Sequence, residues 1–100
     1  MNALSIPPAA TRDPNSVEMF RAWIAERGLH CSLKVGLYAK DGPEAETIAW
    51  GVILADAAQH VADALEAQGA GRRDDLLRAI VKSFADEMQR PTSWRSGEFG

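Results

Sequence analysis

From Leu29 to Leu37 every second residue is apolar: Leu29, Cys31, Leu33, Val35 and Leu37 alternate with His30, Ser32, Lys34 and Gly36. A period of two is the signature of a strand, so one strand is expected over 29–38. The turn-forming run Lys40-Asp41-Gly42-Pro43 ends it. A lone strand leaves backbone donors and acceptors unpaired along both edges, and a folded domain has to satisfy them. Three partners can do so. The N-terminal segment Ala3–Ile6 can add to the strand, or Ala45–Trp50 can fold back as a hairpin across Asp41-Gly42. The third partner is the same strand of a second chain, antiparallel about a two-fold axis.

The remaining elements read as helices. Asn15 and Glu18 have capping-box spacing, and Val17, Phe20, Trp23 and Ile24 share one helical face, so a helix is expected over 15–27 with Gly28 as its stop. Met1 to Arg12 reads as an extended arm, because Pro7-Pro8 opposes helix and no periodicity follows. A long helix is expected from Glu44 or Glu46 to Gln68, ended by Gly69-Ala70-Gly71. A strand over Thr47–Leu54 is the other reading of its start, but the Ala-rich continuation favours helix. Its first half, Ile48–Ala55, is apolar nearly all round. Gly51 inside it costs about 1 kcal/mol relative to Ala, which suggests close approach of another backbone. A final amphipathic helix starts at Arg73 or Asp74 and runs to about Arg90, with Leu76, Leu77, Ile80, Val81, Phe84 and Met88 as its stripe. The expected fold class is therefore α+β and helix-dominated. Residues 13–91 form a single globular domain between an arm (1–12) and an irregular tail (92–100).

Charge and composition bound the function. The chain of 100 residues has a net charge of −3. Residues 1–40 carry +2, residues 41–71 carry six carboxylates and no Lys or Arg, and residues 72–100 carry +1. A continuous basic face for nucleic acid is therefore not expected. Nothing approaches the run of about 20 apolar residues that spans a bilayer, and Met1–Ala10 lacks the pattern of a signal peptide. One cysteine excludes an internal disulfide and suits a reducing, cytoplasmic location. At this size a single modest core is expected, burying roughly 65% of the unfolded chain's surface.

Chemistry-bearing residues are few. Asp56, His60 and Asp63 stand at i, i+4 and i+7, a spacing that can present two carboxylates and an imidazole to a divalent metal or orient a histidine base. The same spacing also describes an ordinary polar stripe with an Asp–His surface pair. His30 and Cys31 are neighbours on a strand and point to opposite faces, so they cannot form a nucleophilic pair. Cys31 reads as a small buried hydrophobe. Trp94 and Phe99 in the tail either fold back or anchor a partner protein. No cofactor motif is present.

The runs Leu29-His30-Cys31-Ser32-Leu33, Ala49-Trp50-Gly51, Leu54-Ala55-Asp56 and His60-Val61-Ala62 resemble those of a family of small uncharacterised bacterial proteins catalogued as a domain of unknown function. The resemblance runs from about Ile6 to Pro91. It implies a soluble bacterial protein and assigns no activity. The order strand–helix–helix also resembles ribbon-helix-helix repressors, where His30, Ser32, Lys34, Gly36 and Tyr38 would face the DNA major groove. The long helix exceeds that pattern and the acidic charge opposes it.

These readings converge on a homodimeric interaction or regulatory module without catalytic activity. Leu33, Val35, Leu37, Trp50, Gly51, Ile53 and Leu54 are its expected self-interface. The rival reading is a small-molecule or divalent-metal site on Asp56, His60 and Asp63.

Overall fold

In the computed structural model, which describes residues 3–92 and the backbone of 94–99, the first ordered turn begins at the diproline. Pro8–Arg12 forms a five-residue helix, α1, with Pro7 as its N-cap. The expected extended arm is thus interrupted. Proline at the first helical position has no N–H to lose and a φ already suited to helix, so Pro8 starts the turn instead of forbidding it. Asp13 then accepts the Asn15 N–H at 2.8 Å, an Asx turn that ends the segment.

Residues 15–27 are not a helix. Phe20–Ala25 form strand β1, paired antiparallel with β2 (Gly28–Leu33). Phe20, Ala22 and Ile24 fit a period of two as well as Phe20, Trp23 and Ile24 fit a helical face, and aromatic and β-branched residues favour the pleated surface. Gly28 opens β2; it does not cap a helix. The two strands are joined by Glu26 (φ 50°) and Arg27 (φ 65°), the backbone of a two-residue primed hairpin turn.

β2 is shorter than the expected 29–38. After Leu33 the Lys34 N–H makes one more bond to Met19 O at 2.8 Å, and Gly36 then takes a φ of 97° that breaks the strand. Neither Ala3–Ile6 nor Ala45–Trp50 pairs with it. Its second neighbour is β3, Trp94–Phe99, running parallel with Gly28 opposite Trp94 and Leu33 opposite Phe99. The sheet order is β1-β2-β3, so both edges of β2 are filled within the chain. The expected pairing of this strand across a dimer is therefore replaced by local pairing. The segment 92–100, expected to be irregular, supplies a strand.

A parallel pair needs a long crossover, and the helices provide it. A three-ten turn, Ala39–Asp41, leads into α2, Pro43–Ala67, and then α3, Arg73–Gln89. Both helices match expectation closely. Pro43 stands at the first turn of α2 with Glu44 and Glu46 beside it, where the helix dipole favours carboxylates. The short connection makes α2 and α3 antiparallel neighbours. Ala62 of α2 is the only apolar side chain among the described residues that is fully buried.

Directly opposed residues of β1 and β2 share a face. One face carries Phe20, Ala22, Ile24, Leu29, Cys31 and Leu33, all apolar; the other carries Arg21, Trp23, His30 and Ser32. The apolar face meets α2 where the rings of Phe20 and Trp50 lie 6.4 Å apart and tilted by 58°. Such a pair contributes about 0.5–1.5 kcal/mol beyond its buried area.

Candidate functional site

Two polar clusters brace the molecule, and sequence pattern alone points to neither. At the start of α2 the Glu46 carboxylate accepts the backbone N–H of Gly36 and of Tyr38, each at 2.9 Å, and the Trp50 indole N–H at 2.9 Å. Gly36 and Tyr38 are alternate residues of one segment, and both N–H groups reach the same carboxylate. These bonds, led by that from Gly36, hold the Glu46 pKa below its usual value, although partial desolvation opposes them. The expected strand residues Val35 and Leu37 lie in this loop, exposed, in a segment whose backbone is tied to α2 and not to a sheet.

The second cluster joins the two helices. Arg73, at the first turn of α3, donates through Nε to Asp63 Oδ1 at 2.5 Å and through Nη2 to Gln59 Oε1 at 2.9 Å, while its backbone N–H bonds Glu66 at 2.9 Å. The hydrogen bond and charge of Asp63 raise the guanidinium pKa. Asp63 is therefore engaged in hairpin closure and does not join Asp56 and His60 as a ligand set. All three are exposed. No group of three His, Cys, Asp or Glu side chains able to hold a metal ion occurs among the described residues.

The other expected residues fall as follows. His30 and Cys31 point to opposite sheet faces, opposite Trp23 and Ala22 of β1, as the strand register requires. Leu33, Trp50 and Ile53 are half-buried, while Gly51 and Leu54 are exposed. No backbone approaches Gly51 among the described residues: a Cβ there would meet nothing within 4 Å. Trp94 and Phe99 occupy the ends of β3, and their side chains lie outside the described residues. A hollow of about 400 Å³ beside Asp86, Glu87 and Thr92 is open and polar, and Glu87 already accepts both the N–H and the hydroxyl of Thr92.

What the structure does present is uncovered apolar surface. Ile24 is 87% exposed on the apolar sheet face. On the helices Ile48 is 66%, Phe84 57% and Met88 70% exposed. Val81, Phe84 and Met88 belong to the stripe expected to face the core; instead they line one side of α3's second half. In an antiparallel hairpin that half lies at the same end as Ile48 and Val52 of α2. The accessible surface totals 8498 Å². A folded monomer of 10.9 kDa exposes roughly 5,600 Å². The Cα radius of gyration, 15.3 Å, likewise exceeds the roughly 13 Å of a 100-residue domain.

The fold is thus an α+β domain with an open sheet face and an open helical hairpin. The chain belongs to the family described as Domain of unknown function (DUF5076), whose profile matches residues 3–92. Solved structures to which it is similar include a protein from the photosynthetic bacterium Rhodopseudomonas palustrus CGA009 described as a "putative pyruvate dehydrogenase". The identity is 26%, with 98% of this chain and 94% of that chain covered and a TM-score of 0.67. No curated protein matches the sequence. Among the described residues, no helix is long and apolar enough to cross a membrane.

Proposed function

We propose that this chain is a self-assembling interaction module whose working form is a homodimer and whose role is binding, not catalysis. The observation that carries this reading is the surplus of accessible surface. The 8498 Å² of the chain exceeds the monomer expectation by about 2,900 Å². Two copies hiding that surplus would remove about 5,800 Å², in the range of obligate homodimers. Large Ile, Leu, Val, Phe and Met side chains are exposed on both the sheet and the helices, and their covering drives association.

The interface residues expected from sequence divide on this reading. Leu54 is available to a partner, and so are Val35 and Leu37 on the exposed loop that precedes α2. Trp50 acts from within, against Phe20 of the sheet, and Ile53 is half-buried.

The activity in the description of the Rhodopseudomonas protein is not carried over. A dehydrogenase site needs acid, base or cofactor-binding groups converging in a sheltered cleft. The two polar clusters described above are committed to bracing the fold. Light scattering on the full chain after size exclusion tests the reading. A species of twice the chain mass supports it, and a stable monomer overturns it.

A further inference from the structure

Building on the dimer reading, we propose that the two copies cover each other reciprocally: the apolar sheet face of one seats on the open end of the helical hairpin of the other. The sheet contributes Ile24 and Leu29, at the end of the face remote from the Phe20–Trp50 contact. The hairpin contributes Ile48 and Val52 of α2 with Phe84 and Met88 of α3. A sheet with one apolar face is stably covered by helices, and among the described residues the ring contact between hairpin and sheet lies at its Phe20 end. Two-fold symmetry makes the exchange self-consistent, because each copy gives one sheet face and one hairpin.

Charge and coverage together favour this arrangement over like-with-like packing. Glu26 and Arg27 are both exposed at the tip of the β1–β2 hairpin, so this end of the sheet carries no net charge. Glu44 and Asp56 are exposed on the side of α2 that carries Ile48 and Val52. Hairpin against hairpin brings those carboxylates together, and sheet against sheet leaves Ile48, Val52, Phe84 and Met88 uncovered. Sheet against hairpin keeps the carboxylates of the two copies apart and covers both apolar faces at once.

The test uses two full-length variants, Ile24→Lys and Phe84→Asp, followed by sedimentation. Each alone should weaken dimerisation by at least about tenfold, since each places a charge in both copies of the seat. Mixed in equal amounts they should form a heterodimer. That species keeps one seat intact and, in the other, sets the cation introduced at position 24 against the carboxylate introduced at position 84. Either variant dimerising like the parent chain, or a folded mixture remaining monomeric, overturns the proposal. Should the variants fail to fold, a chain carrying Cys31→Ser, Ile24→Cys and Met88→Cys is treated with a short bismaleimide. A link between position 24 of one copy and 88 of the other is expected; cross-chain links joining only like positions, or none, contradict it. A parent chain that is itself monomeric defeats the dimer reading, a result distinct from both.

Discussion

Trp50 donates its indole N–H to Glu46 Oε2 at 2.9 Å, one helical turn earlier on α2, while its ring tilts against Phe20 of the sheet. One residue thus couples the helix start, the 36–38 loop and the sheet. The coupling is electrostatic on one side and apolar on the other.

The Glu46 carboxylate makes this coupling sensitive to acid. Its folded pKa lies below the ordinary value of 4.5. Stability from this group is therefore fully present above that value and is lost as pH falls through the depressed folded value. Glu46→Gln should lower the melting temperature at neutral pH and flatten the acid limb of stability against pH. Thermal unfolding followed by circular dichroism between neutral and acidic pH checks both. An unchanged acid limb would show that the clasp contributes nothing to folding.

The β1–β2 turn holds two non-glycine residues, Glu26 and Arg27, at positive φ. Asn-Gly suits such a primed turn without strain. The double substitution Glu26→Asn, Arg27→Gly should stabilise the chain by about 1 kcal/mol, raising the melting temperature by roughly 4–8 °C. A lower melting temperature would contradict the turn assignment.

Gly51 sits in mid-helix, with open space where a Cβ would stand. Gly51→Ala should therefore gain about 1 kcal/mol of helix stability and leave self-association unchanged. Weakened association in the same variant would place a partner's backbone against this position.

Asp63 and Arg73 close the helical hairpin, whereas Asp56 and His60 are exposed on the same helix as Asp63. Arg73→Ala should lower the melting temperature, and high salt should shrink the difference from the parent chain. His60→Ala should leave stability unchanged, and calorimetry with Zn²⁺ should be silent for both proteins. Zinc heat abolished by His60→Ala would restore the metal reading.

The helices are legible in the sequence because punctuation and period agree. Gly42-Pro43 opens α2, Gly69-Ala70-Gly71 closes it, and Pro91 follows α3. β1 is not, because Phe20, Trp23 and Ile24 also satisfy a helical period and its turn lacks Gly or Asn. β3 is hidden for another reason: Trp94-Arg95-Ser96-Gly97-Glu98-Phe99 does not alternate, and its parallel partner lies more than sixty residues earlier. In the candidate site, the pattern flags Asp63 but not its partner, since Arg73 reaches it only once the helices close. Glu46 is readable as a first-turn carboxylate, but its hold on Gly36 and Tyr38 depends on where the strand ends. The stripe Val81, Phe84 and Met88 is plainly apolar in the sequence. Its exposure is not legible there, because a pattern says which side is apolar, not what covers it.

The central claim is that one chain cannot cover its own apolar faces. Sedimentation velocity across a dilution series at neutral pH tests it most directly. A species of twice the 10.9 kDa chain mass is expected at micromolar concentration, with the melting temperature falling on dilution as mass action requires. A monomer throughout, with a melting temperature independent of concentration, would contradict it.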